Sequence, residues 1–371
     1  MSRKNSLPLQ VAKQIQAAGH PLATTNVLVG LDGFVDTIMH VVARRESATK
    51  FTRMAKISDF AARVADAAGQ SANFEMVTQM VKLGGNGPIM ANALGSYGTK
   101  VTYIGNLGAP NVHSVFKQFA KDSDLYSIAE PGYTDAIEFE DGKLMCGKHE
   151  SLKEITWETI LKYLPKEKLI RKFNDASLIA LVNWTMLPHM NGIFNKILKE
   201  VGPALTNGKR WVFFDLADPA KRTREDIADV LKIIARFQKY FRVILGLNFS
   251  EGRQIGEVLG IKAPVESHEA VTTHAAHIQD KLKVETVVIH PTQFAAAADA
   301  NGATYVVGPY TPKPKITTGA GDHFNAGFCI GRLLDGDLAT SLQIGVATSG
   351  YYVRNAKSPS LADLKKFLGT L

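Results

Sequence analysis

From about residue 178 onward the chain alternates between two patterns. The short runs ASLIALVNW, RWVFFDLA, FRVILGLN and ETVVIH are rich in Val, Ile, Leu and Phe, and longer helical patterns at roughly 188–201, 222–240 and 250–281 separate them. Short continuous apolar runs are strands buried on both faces, and strands alternating with helices imply βαβ units around a parallel sheet. Right-handed crossovers then put helices on both faces. The pattern predicts a three-layer, doubly wound, mostly parallel α/β fold.

The N-terminal half is less regular. A helix is expected over 8–19, a strand over Asn26–Leu31, a second over Asp36–Arg45, a helix in ISDFAARVADAAGQ with Ser58 as its N-cap, and a strand in FEMVTQMVKL running into Gly84-Gly85. Between Tyr133 and Gly147, two short runs flank Asp141-Gly142, a tight-hairpin signal. Such a hairpin would stand off the main body as a flap. The 371 residues show no repeat and no low-complexity linker, so one continuous domain is expected over 1–371, with a small β lid from about 34–45 and 125–150.

The net charge of +8 is scattered in pairs such as Arg44-Arg45, not gathered into a nucleic-acid arm, and no stretch is long and apolar enough to span a bilayer. Neither a nucleic-acid nor a membrane partner is expected. MSRKNSLPLQVAKQI lacks the apolar segment of a signal peptide, and Cys146 and Cys329 form no disulfide framework. These features lead to the expectation of a cytoplasmic protein.

In a parallel sheet, ligands gather at the C-terminal strand ends. Three such ends carry polar groups: Asp215 and Asp218 after WVFFDLADP, Asn248 and Glu251 after VILGLNFSEG, and KITTGAGDHFNAGF after ATYVVGPY. In the last, Gly319, Ala320 and Gly321 open a helix and Asp322 follows. Helix N-termini expose unpaired N–H groups, so this turn can cradle the charge of a phosphoryl group in flight. A carboxylate there needs a task, and taking the proton of an attacking hydroxyl is one. The plainer reading is a helix-dipole acid.

On these residues the chain resembles the ribokinase-like (PfkB) carbohydrate kinases. That family's second signature, Asp-Thr-x-Gly-Ala-Gly-Asp-x-Phe, is matched by Thr317-Thr318-Gly319-Ala320-Gly321-Asp322-His323-Phe324. Its Gly-Gly turn is matched by Leu83-Gly84-Gly85-Asn86-Gly87-Pro88, its Asn-x-x-Glu motif by Asn248–Glu251, and its early Gly-and-Asp strand end by Gly30–Asp36. The four occur in the family's order over about 30–330.

The resemblance implies an ATP- and magnesium-dependent kinase acting on an alcohol of a sugar or sugar-like molecule. Asp322 would be the base and the 319–322 backbone the anion hole. Asn248 and Glu251 would help hold magnesium and the donor phosphates, although their spacing also fits a capping box. Thr317, Thr318, His290, Thr292 and Asn355 fall on the nucleotide side, with C-terminal packing the alternative for Asn355. Asp32, Asp36, Gly84, Gly85 and Asn86 fall on the substrate side. The alternative for the glycines is a strand-to-helix loop; one aspartate is expected on the substrate and the other in a turn or the lid. An exposed edge of the lid would offer a route to a homodimer.

Three positions depart from the family pattern. Ile316 stands where the acid of a monovalent-cation site is usual, so potassium dependence does not carry over. Ile89 replaces a substrate-contacting Asn, which leaves the sugar unassigned. His290-Pro291-Thr292 replaces a Thr-x-Gly. A nucleoside kinase of the same fold, with Phe34 stacking on a base, and a non-catalytic ligand-binding homologue stand as alternatives.

Overall fold

The computed structural model describes residues 6–17 and 19–371. Its strands are β1 (Asn26–Leu31), β2 (Phe34–Arg45), β3 (Phe51–Arg53), β4 (Met76–Gly84), β5 (Lys100–Gly105), β6 (Ser123–Ser127), β7 (Gly132–Glu138), β8 (Lys143–Lys148), β9 (Leu178–Leu181), β10 (Trp211–Asp215), β11 (Arg242–Asn248), β12 (Thr286–His290), β13 (Phe294–Asp299) and β14 (Gly302–Val307). Nine of them form one sheet in the order β14-β13-β12-β11-β10-β9-β1-β5-β6. It is parallel from β6 to β12, and β13 and β14 close it antiparallel.

Strand alternation divides the core into two layers. Val212 and Phe214 of β10 face one helical layer, in which Phe194, Phe214 and Phe237 meet edge to face at 5.0–5.8 Å. Trp211 and Phe213 face the other, built on helices that include Asn86–Ser96, Ala320–Leu333 and Leu338–Asn355. Both faces of β10 are buried, which is why its sequence reads as an unbroken apolar run. Each fully buried Phe contributes roughly 1.5–3 kcal/mol.

The second sheet is small, ordered β3-β2-β7-β8 with β4 paired to β2. It draws on more of the chain than 34–45 and 125–150: β3 and β4 belong to it, while residues 125–127 end β6 of the large sheet. The Asp141-Gly142 hairpin forms as expected, with Glu138 paired to Lys143.

Two further expectations need correction. Ser58 is not an N-cap, because helix Ile57–Asp66 starts after Lys56 without a side-chain cap. Instead Ile57 N–H donates to Asp141 Oδ1 at 3.0 Å, so the hairpin turn satisfies the helix start from 84 residues away. The pattern over 250–281 is two helices, Phe249–Val258 and His268–Leu282, parted by a segment holding Gly260 and Pro264. The helix expected over 8–19 is described as Leu7–Ala17, and residue 18 lies outside the described residues.

The chain runs from β1 outward to β5 and β6, then returns to β9 on the other side of β1. Loops therefore diverge at the C-terminal ends of β1 and β9, where a crevice must open. Among the described residues no helix is long and apolar enough to cross a membrane.

Candidate active site

Asp32, at the end of β1, is fully enclosed. Its Oδ2 accepts from Asn86 N–H (3.0 Å) and from Asn183 Nδ2 (2.7 Å), and its Oδ1 accepts from Gly87 N–H (2.8 Å). Asp32 thus caps helix Asn86–Ser96 from a distant strand end. Gly85 leads into that helix at φ 93°, and a Cβ there would meet Asp32 Oδ2 at 2.7 Å, so only glycine fits. Gly84 is equally tight against the Asp36 carboxylate.

Asn86 reaches in two directions. Its backbone binds Asp32, while its side-chain Nδ2 donates to Asp322 Oδ1 at 3.0 Å. One residue therefore ties the carboxylate after β1 to the carboxylate of the GAGD turn, across a bond between residues 236 apart in sequence. Asp322 lies in the first turn of helix Ala320–Leu333 and is 9% exposed. Burial, then the charge of Asp32, push its carboxyl up to about 8, with the Asn86 bond opposing them. Burial also raises Asp32 to about 6.

Gly319 precedes that helix at φ 90°. A Cβ there would sit 3.2 Å from both Ile89 Cγ2 and Tyr352 Oη, so Ile89 is part of the wall behind the turn. Ala320 N–H is committed to Thr317 O at 3.1 Å. Among the described residues the N–H groups of Gly319 and Gly321 have no protein partner, and Asp322 N–H lies against its own carboxylate. The free N–H groups at this turn are therefore fewer than the whole 319–322 backbone expected as an anion hole. His323 turns away from Asp322. Its Nδ1 donates to Gly319 O at 2.7 Å, so its Nε2 must accept from Ser358 Oγ at 2.8 Å, and the ring stacks on Tyr352 at 3.6 Å. It holds the turn from behind.

Asn248 and Glu251 form the capping box that their spacing allowed. Asn248 N–H donates to Glu251 Oε2 (2.7 Å), Glu251 N–H donates to Asn248 Oδ1 (2.9 Å), and Asp218 N–H donates to Glu251 Oε1 (3.1 Å). Burial raises the Glu251 carboxyl. Asp215 ends β10 close by, accepting from Ala217 N–H and Asn325 Nδ2, each at 2.8 Å. Burial and the charges of Glu251, Asp322 and Asp32 raise it well above the carboxylate range. Asn183, Ala217 and Asp218 all hold left-handed backbones at φ 51–60°, strain concentrated at these strand ends.

A cleft of about 540 Å³ opens beside the turn, lined by residues that include Asn248, His290, Thr292, Thr317 and Gly321. The helix Leu338–Asn355 presents Val346, Gly350 and Val353 to it. Asn355 is not on that wall: it is exposed, and its Nδ2 returns to Tyr351 O at 2.8 Å. Thr318 faces the small sheet, where Lys143 Nζ on β8 donates to its Oγ1. Asp36 on β2 is buried beside Thr134, with Lys82 and Lys143 as the nearby cations. Phe34 is buried and meets His149 edge-on at 5.6 Å, which leaves little of its ring for stacking on a base.

Sequence reasoning singled out neither Asn183, Asn325 nor Lys143. The one available signal was position: Asn183 directly follows an apolar run, as Asn248 does. Asn325 and Lys143 lie mid-helix and at a strand start, where nothing local marks them.

A model of the prokaryotic ketohexokinase family matches residues 10–370. The ketohexokinase of Haloferax volcanii is 29% identical over 343 residues, covering 92% of this chain and 90% of that protein. Among solved structures, Arabidopsis thaliana ribokinase complexed with ribose and ATP is similar at a TM-score of 0.65 and 15% identity, covering 93% of this chain and 98% of that one. Phosphofructokinase-2 from Escherichia coli in complex with substrates and products also reaches 0.65 at 15% identity, covering 94% and 99%. These structural likenesses establish the ribokinase fold, and with the family match over nearly its whole length the chain belongs to the prokaryotic ketohexokinase family of carbohydrate kinases.

Proposed function

We propose that this protein transfers the γ-phosphoryl group of ATP to a hydroxyl of a ketohexose, with Asp322 as general base. The observation that carries the reading is the Asp32–Asn86–Asp322 chain. It fixes a buried carboxyl, held near 8, at the mouth of a helix whose glycines carry free N–H groups. A base is most effective when its pKa lies near the working pH. Asp322 takes the hydroxyl proton as the oxygen attacks phosphorus, and the Gly319 and Gly321 amides stabilise the equatorial oxygens. The nucleotide occupies the cleft bounded by Asn248, His290, Thr292 and Thr317. The family match and the Haloferax relative support a ketohexose as acceptor.

Among the described residues no three His, Cys, Asp or Glu side chains converge into a ready metal cage. Asp215, Glu251 and Asp322 nevertheless raise one another's pKa or are raised together by burial, as carboxylates short of a cation are. A magnesium ion that keeps several waters and shares the donor phosphates suits this partial oxygen set. Asn248, Glu251 and Asp215 are the residues that would hold it, and its chemistry is charge neutralisation.

The small sheet acts as a lid: β2 follows β1 by way of Asp32, and Lys143 reaches Thr318 across the crevice. Its edge strand β4 leaves Met80 53% exposed, with Val81 and Met76 alongside, and Met145 lies exposed on β8. A second copy of the chain is the partner that such an edge fits.

The test is an ADP-release screen over ketohexoses, aldohexoses, sugar phosphates, polyols and nucleosides, with Asp322→Asn as the blank. Ketohexose-dependent ADP release that the blank lacks is expected. Release with nucleosides alone would replace the acceptor, and ligand-dependent thermal stabilisation without ADP would replace the activity.

A further inference from the structure

At the N-terminal ends of β9, β10 and β11, on the opposite edge of the large sheet from the active site, lies a second cleft of about 350 Å³. Its lining includes Lys209, Arg210, Arg242 and Arg332, together with the exposed acids Asp175 and Asp335. Two of the arginines are answered within the protein. Arg242 donates to Glu285 Oε1 at 2.9 Å, and Arg332 donates to Gly336 O at 2.9 Å and lies 3.9 Å from Asp299. Arg210 has no carboxylate in hydrogen-bond contact, only the charge of Asp175 at a distance. It is 6% exposed, and its one hydrogen bond is a long 3.4 Å contact from Nη2 to Asn174 O. Its Nε and Nη1 are sealed from solvent without a partner, as is Nε of Arg332. A guanidinium taken out of water without an anion is strongly destabilising, so a site that keeps one has a use for it.

We propose that this cleft binds a small molecule bearing a phosphate group, gripped by Arg210 with Lys209 at the rim. Asp175 acts on Arg210 through its charge but makes no hydrogen bond or ion pair with it, and being exposed and screened it offsets the buried guanidinium only in part. Lys209 likewise has only a carbonyl partner, Gln238 O at 2.7 Å. Two cations without a carboxylate in direct contact suit a group of charge about −2, which phosphate carries near neutral pH. The volume admits more than the bare ion, and Asn174, Ser177 and Asn207 on the walls suit a short hydroxylated substituent. None of these residues belongs to the donor cleft or to the acidic cluster around Asp322, so the proposal does not depend on the catalytic assignment.

Trp211 provides the readout. Its ring is flanked by Arg242 at 3.8 Å and Arg332 at 4.8 Å, on the wall of the cleft. The full-length protein is titrated with inorganic phosphate and with glucose 6-phosphate, against chloride and acetate at equal ionic strength. Tryptophan fluorescence and Tm are followed. A saturable fluorescence change is expected with the two phosphates only, and a Tm rise of about 2 °C at tenfold excess over Kd. Tighter binding of glucose 6-phosphate identifies a phosphorylated metabolite as the ligand; equal binding identifies the free ion. Arg210→Met should abolish both responses and, by removing an unanswered buried charge, leave the basal Tm unchanged or higher. Trp211→Phe should lose the fluorescence change and keep the Tm shift. A phosphate response that survives Arg210→Met, the same response to acetate, or none at all would overturn the proposal. If Arg210→Met does not fold, Arg210→Gln and the Trp211→Phe fluorescence result carry the same decision.

Discussion

The two ends of β10 carry opposite charges in equal difficulty. Before its first residue, Trp211, sits Arg210, a buried cation with no acid in hydrogen-bond contact. Its last, Asp215, is a buried acid surrounded by other acids. The middle of the strand is apolar and fully enclosed, and gains stability from that. The ends lose stability, because charges out of water without counter-charges destabilise a fold. The comparison teaches where to look for ligands: at charges whose compensation the chain itself does not supply. On the readings proposed above, that compensation would come from a cation and from the proton that Asp322 moves at the C-terminal end, and from an anion at the N-terminal end.

The largest expected effect that could break this picture is at Asp322. Asp322→Asn keeps the size and the Asn86 neighbour but removes the base, and turnover should fall by about 10³-fold. Near-normal turnover would show that the acidic end is packing rather than chemistry. Gly319→Ala comes next. The added Cβ meets Ile89 and Tyr352 in a backbone that L-residues avoid, so the cradle shifts and turnover should drop by about 10²-fold, with nucleotide binding measured separately by calorimetry.

The pH dependence sharpens the same point. As the proposed base, Asp322 would work deprotonated, and burial pushes its carboxyl up to about 8, so kcat/KM should decline about tenfold per pH unit on the acid side of that value. A profile flat between pH 6 and 8 would remove the raised carboxyl from the mechanism. Lys143→Met tests the contact between the sheets. Losing the bond to Thr318 should raise KM by about tenfold, the scale of a hydrogen bond from a charged donor, and leave the fold intact.

The smallest effect is on stability, at Asp215. Its folded carboxyl binds the proton more tightly than the unfolded one, so its contribution is present below the ordinary carboxylate range and is lost as pH rises through the folded value. Asp215→Asn should therefore raise Tm by a few degrees at pH 8 and change it little near pH 4. The Asn325 amide can turn its unpaired Oδ1 toward the new donor. A variant equally destabilised at both pH values would show that Asp215 is compensated in the native protein after all.

How far the sequence carried the site depended on whether each signal was local. Gly319 to Asp322 could be found because a helix start, a left-handed glycine and an acid occupy four consecutive positions. Asn248 and Glu251 could be found for the same reason, although the same spacing serves a capping box and that box is what forms. Asp141 as the cap of a helix 84 residues earlier, and Asn325 as the partner of Asp215, have no local signature. Asn355 was misplaced because helical spacing alone does not say which face meets the cleft.

By itself the sequence determined the layered α/β architecture, because apolar strands and amphipathic helices are set by periodicities of two and 3.6 residues that neighbouring positions enforce. It also determined the GAGD turn, since backbone angles depend on nearest neighbours. Only the tertiary structure decided that Asn86 would join Asp32 to Asp322, that Asp32, Glu251 and Asp322 would bring their charges to bear on Asp215, and that Arg210 would be buried with no acid in hydrogen-bond contact. Those outcomes are distances between residues far apart in the chain, and electrostatic energy depends on such distances and on burial, neither of which exists until the chain has packed.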